Sequence, residues 1–253
     1  DDLISHVVTD HPELFYVSAE LRVASFLGKT AVFPTYLYSP GETARLKKQL
    51  DIMADKIIAS WINNHQSDYD KVRAFHDYLK TTVEYAAESL GKDVSSGQSD
   101  MESQTVIGAL LRRRCVCAGI ARAFKFLCDR IGLECWSVEG WGNGTLHSGP
   151  HQWNIVRING YYHHVDVTWD LQYTDSASVP NYGYLNLSDE EMARDHTWRR
   201  ENYPECPFSP YNYFRVNHAL LDCRAQLETF LYNRFQMEEE FILFRIGPGS
   251  SLG

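Results

Sequence analysis

The apolar positions along this chain repeat with two periods, which predict where its helices and strands lie. A spacing of three to four residues, typical of a helix with one buried face, runs through 46–61, 72–83 and 117–131. Alternating positions rich in aromatic and β-branched residues predict strands at 14–17, 21–26, 30–38, 133–139 and 241–246, and a last helix is predicted at 222–235. Polar or glycine-rich stretches without either period are predicted as loops, at 86–103, 140–149 and 171–215. The pattern therefore predicts a chain that contains both helices and strands.

The ends of two helices are marked in the sequence. Ser67, followed three residues later by Asp70, is typical of a capping box and predicts a helix start. Gly132 ends the helix that begins near residue 117, because glycine adopts the left-handed conformation at little cost. A short helix at 105–111 leads into that helix.

A β-hairpin is the clearest supersecondary motif of the chain. Residues 152–158 and 161–168 flank Asn159-Gly160, a dipeptide strongly preferred in type I′ hairpin turns. The two-residue loop fixes the register, in which His151 and Asp166 are diagonal neighbours on one sheet face, roughly 7–8 Å apart at the backbone. An imidazole and a carboxylate can bridge that gap, and the carboxylate then fixes the histidine tautomer.

Cys117 supplies the third member of a candidate catalytic group. It falls in the first turn of a predicted buried helix, where free N–H groups and the helix dipole favour a thiolate. Together with the predicted His151–Asp166 pair, it forms a Cys-His-Asp arrangement suited to nucleophilic catalysis. Buried cysteines are otherwise mostly packing residues, which is our interpretation of Cys128 and Cys135.

The sequence motifs around these three residues resemble those of the transglutaminase-like superfamily, and most closely its bacterial members of unknown substrate. In chain order they are Cys117-Ala118-Gly119-Ile120-Ala121, Gly132-Leu133-Glu134-Cys135, Val138-Glu139-Gly140, His151-Gln152-Trp153-Asn154-Ile155-Val156 and Val165-Asp166-Val167-Thr168-Trp169-Asp170. The resemblance implies a papain-like α+β fold, with the nucleophile helix packed on an antiparallel sheet and with an N-terminal α/β extension. It also implies thiol acyl chemistry, either hydrolysis of a peptide or other amide or acyl transfer to an amine.

Two residues depart from the family pattern. Cys115 stands two residues before the nucleophile, where the family usually has glycine, and Ile120 stands where it usually has tyrosine. The extra thiol opens a second register for the nucleophile or offers a redox partner. Because Cys115 lies before the helical stripe, Cys117 is the predicted nucleophile.

Other site residues are predicted around the catalytic group. The Cys117 amide at the helix start is the expected oxyanion donor, and Gln104 and Tyr85 are the alternatives for a side-chain donor. Trp153 and Trp169 are core residues or line the groove that binds the acyl group.

We predict no metal and no cofactor for this chain. A zinc site from His147 and His151 with Cys115 and Cys117 is conceivable, but Cys-x-Cys lacks the usual ligand spacing. The chain also has no clear acidic calcium loop of the kind some animal relatives use.

The length of the chain allows one large core with an extension. The predicted units are N-terminal strands and a long helix packed on the core at 1–66, a transglutaminase-like catalytic core with C-terminal cover at 67–246, and a tail at 247–253. No apolar run approaches the roughly 20 residues needed to span a bilayer.

The charge and the cysteine content limit the classes of binding partner and the disulfide content that we expect. A net charge of −9 argues against nucleic-acid binding and against adhesion to an anionic membrane. Six cysteines in 253 residues are too sparse for a disulfide framework. The compartment stays open; a secreted or cell-surface location, with the signal removed, is favoured over the cytoplasm. The expected partner is a protein or peptide substrate, and the oligomeric state is not predicted.

Three classes of function follow from these residues: a thiol hydrolase, a protein-glutamine acyltransferase that cross-links, and a binding module that lost the chemistry. An intact triad argues against the third class. Transfer requires aromatic walls that shield the acyl-enzyme from water, for which Trp141, Trp153 and Trp169 are candidates. The glycine-rich stretch 140–149 predicts an open approach instead, so hydrolysis is favoured.

Overall fold

The N-terminal part of the protein combines helices with an exposed hairpin. A computed structural model describes residues 2–18, 22–90, 98–144, 148–172, 180–239, 241–247 and 250. The first elements are α1 (Asp2–Asp10), a 3-10 turn (Pro12–Leu14), β1 (Arg22–Phe26), β2 (Lys29–Phe33) and α2 (Pro40–Trp61). The strand predicted at 21–26 and the long helix are confirmed, the strand predicted at 30–38 shortens to β2, and α1 was not predicted. The predicted strand at 14–17 is wrong, because only Val17 makes an isolated bridge there.

Two capped helices build one side of the core. The Ser39 hydroxyl accepts a hydrogen bond from the Glu42 N–H at the start of α2. Ser67 and Asp70 form the predicted capping box at the start of α3 (Asp68–Thr82). The apolar faces of the two helices are buried, with Leu46, Leu50, Ala54, Ile57, Val72, Phe75 and Leu79 in the main core cluster.

The segment before the helix that begins at Cys117 is more structured than predicted. It contains β3 (Glu84–Tyr85), a 3-10 turn (Ala87–Ser89), α4 (Gln98–Ser103), a π-helical turn (Gly108–Arg112) and β4 (Arg114–Cys115), which pairs in parallel with β3. The prediction of a loop at 86–103 is therefore wrong for its described ends, and residues 91–97 lie outside the described residues. The short helix at 105–111 corresponds to the π-helical turn.

The helix that begins at Cys117 packs on a five-stranded antiparallel sheet. This helix, α5, spans Cys117–Arg130. The sheet order is β8-β7-β6-β5-β9, with β5 (Cys135–Asn143), β6 (Ser148–Ile158), β7 (Tyr161–Val165), β8 (Leu185–Leu187) and β9 (His196–Trp198). The Asn154 amide donates to the Ala121 carbonyl at 3.0 Å, joining sheet and helix. The predicted α+β architecture is confirmed.

The hairpin has the predicted register, but its second strand is shorter. Ile158 pairs with Tyr161, as the two-residue turn requires. However, β7 ends at Val165, and a helix, α6 (Val167–Gln172), begins directly afterwards. The predicted strand pairing of residues 166–168 is wrong, because Asp166 caps this helix by accepting a hydrogen bond from the Trp169 N–H at 3.1 Å.

The glycine-rich stretch 140–149 is not an open loop. Most of it belongs to β5 and β6, and residues 145–147 lie outside the described residues. A β-carbon built on Gly140 would lie 2.6 Å from the Trp153 ring, and one on Gly142 would lie 2.8 Å from the Trp169 ring. These glycines therefore serve close packing of two indoles on the sheet rather than mobility.

Short elements and one longer helix complete the chain. They are α7 (Asp189–Met192), a 3-10 turn (Arg200–Asn202), α8 (Tyr213–Val216), β10 (Leu220–Leu221), α9 (Arg224–Gln236) and β11 (Arg245–Ile246), which pairs in parallel with β10. The last predicted helix is confirmed, and the last predicted strand shortens to β11. Within the part of the chain that is described, no helix is both long and apolar enough to cross a bilayer.

Candidate active site

Cys117 is the first residue of α5 and is only 6% exposed. The backbone enters the helix through Val116, whose N–H donates to the Ser103 carbonyl at 3.0 Å. Gly119 permits this close approach, since a β-carbon there would lie 2.5 Å from the Ser103 oxygen. The N–H groups of the first helical turn have no acceptor within the helix. The Cys117 amide is therefore suited to stabilise an oxyanion beside the thiol.

His151 and Asp166 form a buried ion pair. The His151 Nε2 and Asp166 Oδ2 atoms are 2.7 Å apart, and the residues are 2% and 0% exposed. Burial by itself lowers the pKa of His151, but the Asp166 carboxylate more than offsets this and raises the pKa to about 10. Burial by itself raises the pKa of Asp166, but its histidine partners bring that pKa well below the usual range. At neutral pH the pair is an imidazolium and a carboxylate.

The second nitrogen of His151 is left for the thiol. Among the described residues, His151 Nδ1 has no hydrogen-bond partner of normal geometry. The Cys117 thiol interacts with the same imidazole and helps to raise the pKa of His151. Because Asp166 occupies Nε2, the arrangement leaves Nδ1 as the nitrogen that exchanges a proton with sulfur. The structure thus brings together the three residues that the sequence predicted.

Cys115 occupies a different environment. It lies in β4, is fully buried and has its side chain packed against Gly119. Burial raises the pKa of the Cys115 thiol, and the neighbouring Cys117 adds to the effect. A thiol held in its protonated form is a poor nucleophile. These observations favour Cys117 over Cys115 as the nucleophile.

His196 is a member of this cluster that the sequence did not predict. Its Nε2 lies 3.2 Å from Asp166 Oδ2, the same oxygen that contacts His151, and its Nδ1 lies 2.6 Å from Asp195 Oδ1. The Tyr184 hydroxyl donates to the other Asp195 oxygen at 2.6 Å. His196 lies in the stretch 171–215, which has no periodic pattern. Only the adjacent Asp195-His196 pair hints at a polar site there.

Two indoles flank the histidines. The rings of Trp153 and Trp169 lie 5.8 and 5.7 Å from the His151 ring, and each residue is 1% exposed. The Trp169 ring is also 4.1 Å from that of His196. Both tryptophans therefore restrain the imidazoles from within the protein. A role in lining the acyl-group groove stays a prediction.

The two candidates for a side-chain oxyanion donor lie on elements next to the helix start. Tyr85 pairs with Cys115 in the short parallel sheet and packs beside Val116 and Ala118, which flank the nucleophile. Gln104 follows α4, and its carbonyl accepts a hydrogen bond from Arg122 of α5 at 2.8 Å. Neither assignment is tested by this geometry, and both stay predictions.

The described residues contain two side-chain clusters of the size a metal would need, His151 with Asp166 and His196, and His164 with Asp189 and Cys206. In the first cluster both histidine Nε2 atoms face one carboxylate oxygen. In the second, the Trp153 indole N–H donates to His164 Nδ1, so the His164 proton lies on Nε2 and points at Asp189. In both clusters the histidine Nε2 atoms therefore face carboxylate oxygens as hydrogen-bond donors. His147, part of the zinc alternative, lies outside the described residues.

Comparisons with known proteins show what this chain is similar to. Residues 55–167 match the sequence profile of the transglutaminase-like superfamily. The kyphoscoliosis peptidase of Homo sapiens is 26% identical over 131 residues, which cover 48% of this chain and 19% of that protein. The Mus musculus kyphoscoliosis peptidase is 25% identical over 151 residues, 53% of this chain and 22% of that protein. The chain thus spans about a fifth of the length of these relatives.

Two solved structures are also similar to this chain. A TGase is 16% identical with a TM-score of 0.41, covering 78% of this chain and 52% of that one. A proposed cysteine protease from Cytophaga hutchinsonii is 15% identical with a TM-score of 0.37, covering 59% of this chain and 61% of that one. The profile match covers the helix that begins at Cys117 and the hairpin with its His-Asp pair, so residues 55–167 of this chain are similar to the core of the transglutaminase-like superfamily.

Proposed function

We propose that this protein is a thiol hydrolase that cleaves a peptide or other amide bond through an acyl-enzyme on Cys117. One observation carries the proposal. His151 binds Asp166 through Nε2 at 2.7 Å and keeps Nδ1 for the thiol at the helix start. This division of the two nitrogens is what a Cys-His-Asp triad requires, since the carboxylate orients the base while the base serves the nucleophile.

In the first half of the reaction the Cys117 thiolate attacks the amide carbonyl carbon. The carbonyl electron pair moves to oxygen, and the Cys117 amide, freed by its place at the helix start, stabilises the oxyanion. The His151 imidazolium then gives its Nδ1 proton to the departing nitrogen as the C–N bond breaks. An amine leaves, the thioester remains on Cys117, and His151 is neutral.

In the second half, neutral His151 takes a proton from water, and the hydroxide attacks the thioester carbonyl. The C–S bond breaks, the acid product leaves, and the thiolate–imidazolium pair is restored. Asp166 stabilises the imidazolium at both stages without accepting the proton, which agrees with its lowered pKa.

Two observations favour water over an amine as the final acceptor. Trp153 and Trp169 are buried against the histidines and do not wall an open channel, whereas Trp141 lies at the surface and is 46% exposed. The aromatic shield that transfer would require is therefore not built from these residues. The kyphoscoliosis peptidases, similar over about half of this chain, carry a name that refers to peptide hydrolysis. The open approach expected at 140–149 does not support hydrolysis, because most of that stretch is paired in β5 and β6.

The test is a competition between water and an amine. The protein is incubated with a broad panel of peptides and unfolded proteins and a labelled primary amine at millimolar concentration. Mass spectrometry then compares new carboxylic acids with amine adducts. We expect the acids to exceed the adducts, and we expect Cys117→Ala to lose both products. Cys115→Ala, which removes the neighbouring buried thiol, is the matched control and should retain activity.

Each contrary result points to one alternative. An excess of amine adducts would identify an acyltransferase. Activity that survives in Cys117→Ala but not in Cys115→Ala would move the nucleophile to Cys115. The absence of any product across the panel, together with a slowly alkylated Cys117, would favour the binding module.

A further inference from the structure

His196 contacts the catalytic carboxylate from the edge strand β9. In the sheet order, β5 and β6 lie between β9 and β7, the strand that Asp166 follows. Its Nε2 contacts Asp166 Oδ2 at 3.2 Å, and His151 Nε2 contacts the same oxygen at 2.7 Å. Asp166 Oδ1 accepts from the Trp169 N–H at 3.1 Å. Three donors therefore fix both oxygens of one buried carboxylate.

The surroundings of His196 stabilise its charged form. The titratable groups facing it are Asp166, Asp195, Tyr184 and His151. Burial by itself lowers the pKa of His196, but the hydrogen bonds to the two aspartates outweigh this, and the pKa is raised. The aromatic faces of Trp153 and Trp169 lie close to the ring, an arrangement that also favours a cation.

We propose that His196 is a positioning residue of the catalytic centre, a second imidazolium that clamps Asp166 and limits how tightly this carboxylate holds the His151 proton. This inference rests on the proposed function, because it needs a working Cys117–His151 pair. Two effects follow from the geometry. The clamp holds the Asp166 carboxylate in the orientation that His151 needs. The positive charge of His196, 5.4 Å from His151 between ring centres, also repels the His151 imidazolium.

The second effect matters for the proposed reaction. His151 must release its proton to the leaving nitrogen, and a base paired with one undivided buried carboxylate would hold that proton more strongly. When two imidazoliums share the carboxylate, the attraction of Asp166 for the His151 proton is weaker. Asp195 and Tyr184 continue the hydrogen-bond chain and keep His196 charged and oriented.

The pH dependence of Cys117 alkylation tests the proposal without any substrate. Iodoacetamide is reacted with the protein across pH 4–11, and peptide mapping by mass spectrometry gives the rate at Cys117. We expect a step at alkaline pH, where His151 loses its proton. His196→Gln keeps a hydrogen-bond donor but removes the charge, so the step should move to higher pH by at least about half a unit. Asp195→Asn, which weakens the charge on His196, should move it in the same direction by less.

His164→Gln is the matched control. His164 is also a fully buried histidine bonded to an aspartate, Asp189, but the hydrogen bonds of its ring go to Asp189 and Trp153 rather than to Asp166. Its substitution should lower thermal stability and leave the alkaline step in place. A merely structural role for His196 would give the same result as this control.

The outcomes separate the two proposals. If wild-type Cys117 is alkylated no faster than Cys223, the proposed function fails, whatever His196 does. If Cys117 is fast in the wild type and the step stays in place in His196→Gln and Asp195→Asn, the positioning role is overturned. ¹⁵N NMR of histidine-labelled wild-type protein at pH 7 decides the matter if His196→Gln does not fold. Two protonated nitrogens on His196 support the role, and a neutral ring contradicts it.

Discussion

Replacing Asp166 by asparagine is the most informative change in this protein. The carboxylate accepts hydrogen bonds from His151 at 2.7 Å, His196 at 3.2 Å and the Trp169 N–H at 3.1 Å. Asparagine keeps the shape but turns one acceptor into a donor. If its oxygen stays on the Trp169 N–H, its NH₂ group meets two imidazole N–H donors. His151 can relieve this only by carrying its proton on Nδ1, the nitrogen that must serve Cys117.

The expected magnitudes follow from those contacts. Breaking a buried ion pair by neutralising one partner costs about 3–5 kcal/mol of unfolding free energy. A triad with the wrong histidine tautomer loses turnover by roughly 10³–10⁴-fold. For iodoacetamide, which needs the thiolate but no proton for a leaving amine, we expect a smaller loss at Cys117, at least about tenfold at pH 7.

Asp189→Asn is the matched control for this experiment. Asp189 also accepts from a buried histidine, His164 Nε2 at 2.9 Å, and from a backbone N–H, that of Cys206, at 2.9 Å. Urea unfolding should show a loss of stability in both variants, whereas alkylation mapping should show slow Cys117 only in Asp166→Asn. A folded Asp166→Asn protein whose Cys117 reacts at the wild-type rate would refute the tautomer argument.

Three further predictions follow from the site. The raised pKa of His151 contributes stability that is fully present below about pH 6.5, its unfolded value, and is lost by up to ~1.4 kcal/mol per pH unit until about pH 10. Urea titrations between pH 6 and 10 check this, and a flat profile contradicts it. Gly142→Ala should cost about 1–3 kcal/mol in thermal or urea unfolding, because its methyl group would lie 2.8 Å from the Trp169 ring; unchanged stability would show that the ring can shift. In a limited alkylation at pH 7, Cys117 should be labelled before the more exposed Cys223, and mapping that finds the reverse order would argue against an activated thiol.

The parts of the fold set by local patterns could be predicted from the sequence. The buried stripe that begins at Cys117 and the Asn159-Gly160 turn each depend on neighbouring residues, so the nucleophile helix and the hairpin register followed. The His151–Asp166 pair followed from that register even though β7 ends three residues earlier than predicted. The end of β7 was missed because Asp166 was interpreted as a strand residue, whereas its carboxylate also caps a helix.

Features that depend on long-range packing were not predictable in the same way. His196 meets Asp166 across 30 residues and two intervening strands, and nothing near it in the sequence specifies that contact. The glycines of 140–149 were interpreted by their backbone freedom. Gly140 and Gly142 are instead constrained by contacts that only the assembled sheet shows, with the Thr197 carbonyl oxygen and Trp153 at Gly140 and with Trp169 at Gly142.

The packing of Trp169 over Gly142 means that two positions far apart in the sequence share one fixed volume. A larger residue at 142 therefore requires a smaller one at 169. In an alanine scan, the substitution adds atoms at a glycine, whereas it removes atoms at larger residues. Such a scan would show a loss at Gly142, as it would at a catalytic residue, although Gly142 contributes no chemical group to the reaction. The absence of a side chain at Gly142 is thus as specific a requirement of the site as the side chains around it.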